Sequence, residues 1–202
     1  MNKRILVLLI GALAMPQFSH AEGLLKYNPP KTGAPLTLTG GGTRGLALGV
    51  KPLQALAPKQ LALTGQAQPI LYWYAALPKP QTVEFTIIRE GASQPLLEKQ
   101  INITVAEGLQ SIRLADYGVS LKPNEEYIWS VAVANAGTNS EDAVSGSSAA
   151  VIRYELPATP LSTVKQQAEA GYWYDALQQL IESHSAQANE LLNQIGIQVP
   201  AL

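Results

Sequence analysis

The sequence predicts a mainly β protein: an antiparallel β-sandwich followed by a helical C-terminal segment. Three observations carry this. From about residue 61 to 156, apolar and polar residues alternate at period two, the mark of half-buried strands. Pro78, Pro80, Gly91, Gly108, Gly118 and Gly137 punctuate these runs at the short spacing of a sandwich or barrel. After Pro157 the apolar period lengthens to that of helices.

Residues 1–21 read as a secretory signal peptide. Asn2-Lys3-Arg4 is a basic start, Ile5 to Met15 is apolar and uncharged, and Ser19-His20-Ala21 offers small residues for cleavage after Ala21. The apolar run is too short to span a bilayer. Loss of Lys3 and Arg4 leaves 12 of the 14 basic residues against 15 acidic ones, a net charge of −3. That is not the footprint of a nucleic-acid binder. With no cysteine in the chain, thiol nucleophiles, zinc–cysteine sites and a lipid-anchored cysteine are excluded. The expected location is periplasmic or secreted, with no membrane span once the signal is removed.

Residues 22–60 form a Gly/Pro-rich arm, with Pro29-Pro30, Pro35, Pro52 and Pro58 between short apolar groups. Residues 61–157 hold the sandwich. In 97–105, Leu97, Lys99, Ile101, Ile103 and Val105 share one face, and Glu98, Gln100, Asn102 and Thr104 the other. In 127–133, Tyr127, Trp129, Val131 and Val133 share a face. Segments 70–75, 82–90, 109–115 and 149–156 complete the strands. Residues 158–202 form a helical hairpin or three short helices. Thr159 is the expected first cap with Pro160 behind it, and Leu161, Val164 and Ala168 form a stripe before Gly171. From about 172, Trp173, Ala176, Leu177, Leu180, Ile181 and His184 line one side of a second helix, with Asp175 in its first turn. A third, from about 186, carries Ala188, Leu191, Leu192 and Ile195 and ends at Gly196.

Catalytic signatures are sparse. His20 leaves with the signal, so His184 is the one remaining histidine. A zinc site with two or three histidines cannot be built, and no G-x-S-x-G elbow accompanies His184. Glu84 and Glu98 read as solvated strand faces, Glu125-Glu126 as a turn, and Glu141-Asp142 as part of a mobile Ser/Gly-rich loop. The stretch "TGGGTRG" (39–45) satisfies the bare G-x-G-x-x-G pattern. It lacks the Lys-Ser/Thr of a P-loop and the βαβ context of a dinucleotide site. Its glycines let the arm lie close to a neighbour, and Arg44 is its anchoring charge. No metal or cofactor is expected. The consecutive Tyr72, Trp73 and Tyr74 divide between the two faces of a strand, either the tryptophan or the tyrosines facing the core.

Two local likenesses refine the fold. "LKPNEEYIWSVAVANAG" (121–137) resembles the E–F turn and F strand of a fibronectin type III domain, with Leu121-x-Pro123 and Tyr127 forming a tyrosine corner. This makes the sandwich immunoglobulin- or fibronectin-like. "GYWYDA" (171–176) resembles the turn and second helix of a tetratricopeptide hairpin, but one unit cannot make a solenoid. Over a longer span, "GGGTRG", "QPILYWYA" and "AGYWYDAL" occur in the order and spacing of the bacterial "domain of unknown function 928" family of exported proteins. That resemblance covers about residues 38–197. It implies export and an arm–sandwich–helix layout, and it carries no activity. Some family members have cysteines in the sheet and a tryptophan near the last strand; this chain has neither there.

The functional expectation is a non-catalytic periplasmic protein-binding or adaptor module. Its partner would be another exported or membrane-anchored envelope protein, and its candidate partner-binding residues are Arg44, Tyr72, Tyr74, Trp173, Tyr174 and Asp175. The alternative is an envelope polysaccharide binder or weak glycan-processing enzyme that stacks sugars on Tyr72, Tyr74 or Trp173.

Overall fold

The structure, a computed structural model, describes residues 25–31, 52–134, 146–200 and 202. Eight strands appear among the described residues: β1 (Leu53–Ala55), β2 (Ala62–Thr64), β3 (Ile70–Ala76), β4 (Gln81–Arg89), β5 (Leu97–Ile103), β6 (Glu107–Arg113), β7 (Glu126–Val133) and β8 (Ser147–Tyr154). They form a three-stranded sheet in the order β1-β3-β6 and a five-stranded sheet in the order β2-β8-β7-β4-β5. Every pairing is antiparallel except that of β2 with β8. A 3₁₀ turn, Leu114–Tyr117, follows β6, and three helices follow β8: α1 (Val164–Glu169), α2 (Trp173–Glu182) and α3 (Gln187–Gln194). No helix among the described residues is long and apolar enough to cross a membrane.

The period-two pattern translates directly into burial on β7. Tyr127, Trp129, Val131 and Val133 are all buried, each contributing about 1.5–3 kcal/mol for a large apolar side chain removed from water. Between the sheets, Trp73 of β3 stacks on Phe85 of β4, which stacks on Trp129 of β7, at centroid distances of 6.5 and 6.3 Å. At the turn before β7, the Tyr127 hydroxyl accepts a bond from the Lys122 amide at 3.0 Å, the upstream contact expected of that tyrosine. It also donates to the Glu125 carboxylate at 2.9 Å.

Four local expectations are corrected. The sheet begins inside the stretch read as an arm, because β1 pairs with β3 from Leu53 onward. On β5, Lys99 is exposed although it shares a face with Ile103, because β5 is an edge strand; Val105 lies beyond its end and is 62% exposed. Helix α1 is capped by Thr163, not Thr159: Thr163 and Gln166, the third helical residue, form a reciprocal capping box, so the chain turns helical only after Thr163. His184 is off the apolar stripe and exposed.

The reason for the last correction lies in how the helices stop. Each ends with its C′ residue in the left-handed region: Gly171 (φ 87°), His184 (φ 51°) and Gly196 (φ 75°). In each, the following amide bonds back to the carbonyl that defines a Schellman cap: Tyr172 to Gln167, Ser185 to Leu180 and Ile197 to Leu192. His184 therefore occupies a glycine position. At Gly171 a side chain is doubly opposed, since a Cβ there would lie 3.2 Å from Pro30 Cδ and 3.3 Å from the Asn28 carbonyl oxygen.

Two substitutions read this out in urea denaturation. His184→Gly raises stability by about 1 kcal/mol, the penalty of a left-handed side chain. Gly171→Ala lowers it by more than 1 kcal/mol, about the scale of an incompatible backbone angle, with the crowding against residues 28–30 added.

Candidate functional site

Five of the six candidate binding residues fall within the described residues, and Arg44 lies outside them, as do the "TGGGTRG" stretch, the Glu141-Asp142 loop and the signal segment. Trp173, Tyr174 and Asp175 come together in the first turn of α2, where the helix enters the β1/β2 side of the sandwich. Consecutive residues on a helix point in different directions, and here each direction finds a different part of the sandwich. The Trp173 indole donates to the Leu56 carbonyl at 2.9 Å. The Tyr174 hydroxyl accepts from the Trp129 indole at 2.9 Å and donates to the Val151 carbonyl at 3.0 Å. The Asp175 carboxylate accepts from the Gly65 amide at 2.9 Å and the Gln66 side chain at 3.3 Å. The Gly171 carbonyl adds a bond from the Leu63 amide at 3.1 Å.

These residues are therefore not a stacking surface. Trp173 is 0% exposed and Tyr174 3%. Tyr27, from residues 25–31, closes over Trp173 edge-on, with ring centroids 4.8 Å apart. Its amide donates to the Gln194 side chain of α3 at 2.8 Å, and Gln194 in turn donates to the Leu25 carbonyl at 2.8 Å. Tyr72 and Tyr74 are closed off as well. The pattern of β3 leaves one face to the tyrosines, yet Tyr72, Trp73 and Tyr74 are all buried. Tyr72 lies in the fields of Glu182 on α2 and Arg113 on β6, and the Tyr74 hydroxyl donates to Glu107 at 3.2 Å. Both strand faces are covered, so the choice between core tryptophan and core tyrosines does not arise.

Burial governs the electrostatics. Desolvation pushes the Tyr27 and Tyr174 phenols far above the ordinary phenol range, and the bond from Trp129 only partly opposes this at Tyr174. Desolvation also raises the Asp175 carboxyl, while the bonds from Gly65, Gln66 and Thr64 pull it back. The remaining acids near the turn are paired: Glu125 with Arg89 at 3.9 Å, and Glu126 with Arg153. Among the described residues no group of three or more histidines, cysteines or acids is placed to hold a metal ion.

One open hollow, of about 370 Å³, lies among the helices, lined by Leu25, Thr163, Lys165, Gln179 and Gln187 among others; another lies on the opposite side, where β5 and β6 are both edge strands. This second hollow, of about 210 Å³, is lined by Ile70, Ile101, Ser111, Arg113, Asp116 and Tyr117 among others. Tyr117 is 40% exposed, and the Lys99 ammonium sits 5.9 Å from its ring centroid. The sequence reading missed these residues. "SIRLADY" has no motif, and its only signal is a large aromatic two residues past the segment 109–115 read as a strand, just before Gly118.

Tyr174→Phe strands two buried partners at once and lowers stability by about 1–3 kcal/mol in chemical denaturation, with the side-chain volume nearly unchanged. Asp175 gives a pH signature. Its folded carboxyl holds its proton to higher pH than the unfolded one, so this group weakens the fold as pH rises from below its ordinary value of 3.8 through its folded pKa. The stability of Asp175→Asn relative to the parent accordingly increases across that interval and then levels off. A pH-independent difference in a urea series contradicts the assignment.

No curated protein matches the chain. The family model described as Domain of Unknown Function (DUF928) matches residues 39–198, a span that takes in the sandwich and all three helices, and the chain belongs to that family.

Proposed function

We propose that this chain is a non-catalytic exported protein, a binding or adaptor module whose partner is another exported or membrane-anchored envelope protein. The observation that carries this reading is the asymmetry of the sandwich. The helices close the β1/β2 side with main-chain and side-chain bonds. The β5 edge on the other side has no strand beside it among the described residues. The seven residues of β5 suit addition of an extended strand from a partner, in which main-chain bonds give affinity. Exposed Leu96 (37%) and Val105 (62%) lie just beyond its two ends and supply apolar anchors. The non-catalytic half of the reading is supported by His184, which is spent as an exposed helix cap, and by the pairing of Glu125 and Glu126 with arginines.

We read the sandwich itself as immunoglobulin- or fibronectin-like. In support stand the three-stranded sheet opposed to a larger one, the short β2 running parallel to the last strand, and the Tyr127 hydroxyl on the Lys122 amide. The signal-peptide features of residues 1–21 support export.

A photo-cross-linking residue at Gln100, in the middle of β5, captures one defined envelope protein in cells, and the same residue at Gln179 on α2 does not. The purified partner rebinds the parent protein and loses affinity for a Leu96→Asp/Val105→Asp variant. Equal capture from both positions, or rebinding indifferent to the variant, contradicts the reading.

A further inference from the structure

The hollow at the end of β6 has a composition that strand addition does not use. Ser111 and Arg113 are two residues apart on β6 and so point to one face. The 3₁₀ turn then brings Asp116 and Tyr117 round to the same opening. Ser111, Arg113, Asp116 and Tyr117 are all exposed. Among the described residues, Ser111, Arg113 and Asp116 make no side-chain hydrogen bond or ion pair within the protein. The chain thus displays, around one small concavity, a fixed donor fork, an acceptor-only carboxylate, a hydroxyl able to do both, and a partly exposed aromatic ring.

We propose that this hollow is a saccharide subsite that takes one pyranose unit of a polysaccharide. The inference goes beyond the protein-partner reading and does not rest on it. Vicinal sugar hydroxyls both donate and accept, so they satisfy Arg113 and Asp116 together. The apolar face of the ring stacks against Tyr117, whose aromatic body and polar tip suit a site that is apolar at one end and wet at the other. Lys99, above the same ring, steadies it and adds a donor at the rim. Competing ligand classes fit less well. A phosphate or a carboxylate would meet Arg113 and Lys99 favourably but would be repelled by Asp116. An apolar peptide side chain would bury Arg113 and Asp116 without partners, which is costly. The volume, about 210 Å³, is below the roughly 300–1,000 Å³ of pockets for drug-sized ligands and suits a single ring.

The test uses the mature protein on a broad glycan array, followed by saturation-transfer NMR with the best soluble oligosaccharide from it. Inorganic phosphate and an oligo-aspartate peptide are the competing probes. The expected result is binding of at least one pyranose oligosaccharide, weakened about tenfold or more by Tyr117→Ala and by Asp116→Asn, with unchanged unfolding curves because both residues are at the surface. Neither competitor displaces the sugar. The inference is overturned by an array without hits, by sugar binding that survives Tyr117→Ala, or by phosphate or oligo-aspartate binding at Arg113 in preference to sugar.

Discussion

The Tyr174 hydroxyl, held between the Trp129 indole and the Val151 carbonyl, is the point on which the architecture turns. Its position follows from simple constraints. An inward-facing strand offers few acceptors to a core indole: that of Trp73 finds no partner among the described residues, whereas that of Trp129 draws on another element for one. Helix α2 supplies one by inserting a tyrosine from its first turn. The tyrosine hydroxyl in turn uses a β8 carbonyl, so two strands of one sheet are tied to the helix by a single oxygen. The stacked row Trp73–Phe85–Trp129 continues this link into the other sheet. Trp173 and Asp175, on either side, repeat the device on Leu56 and Gly65. The helical segment is thus bound into the core as part of the same unit, and residues 25–31 close over it through Tyr27.

This arrangement changes what the aromatic-rich helix start means. Its residues read as a recognition surface because aromatic side chains with polar tips serve binding sites. The same amphipathic character also serves a buried junction, where the ring fills space and the tip meets an orphan polar group. Burial decides between the two, and burial is a tertiary property. The side the helices leave uncovered carries the two surfaces proposed above for recognition, the β5 edge and the hollow that Tyr117 borders.

Legibility in the sequence followed the same division. Elements with one wet face were readable, because alternation survives only when the faces differ. Strand β7 and the stripe Trp173, Ala176, Leu177 and Leu180 of α2 are such cases. Elements covered on both faces, or too short to show a period, were not. Strand β3 buries nearly every residue, and β1 and β2 have three residues each. The caps divide in the same way. Gly171 and Gly196 were visible because glycine marks a left-handed stop, whereas His184 carries no such mark. The Tyr117 hollow had no local signature, since it forms where β3, β5, β6 and the 3₁₀ turn converge.

The central claim is that α2 and the sandwich are one cooperative unit because α2's first turn completes the core. Native-state hydrogen exchange measures this most directly. The account predicts that the slowest amides of α2 and of β7 exchange with the same free energy, and with the same dependence on added denaturant, as global unfolding does. Amides of α2 that exchange through a separate, lower-energy opening, while those of β7 stay protected, would contradict it.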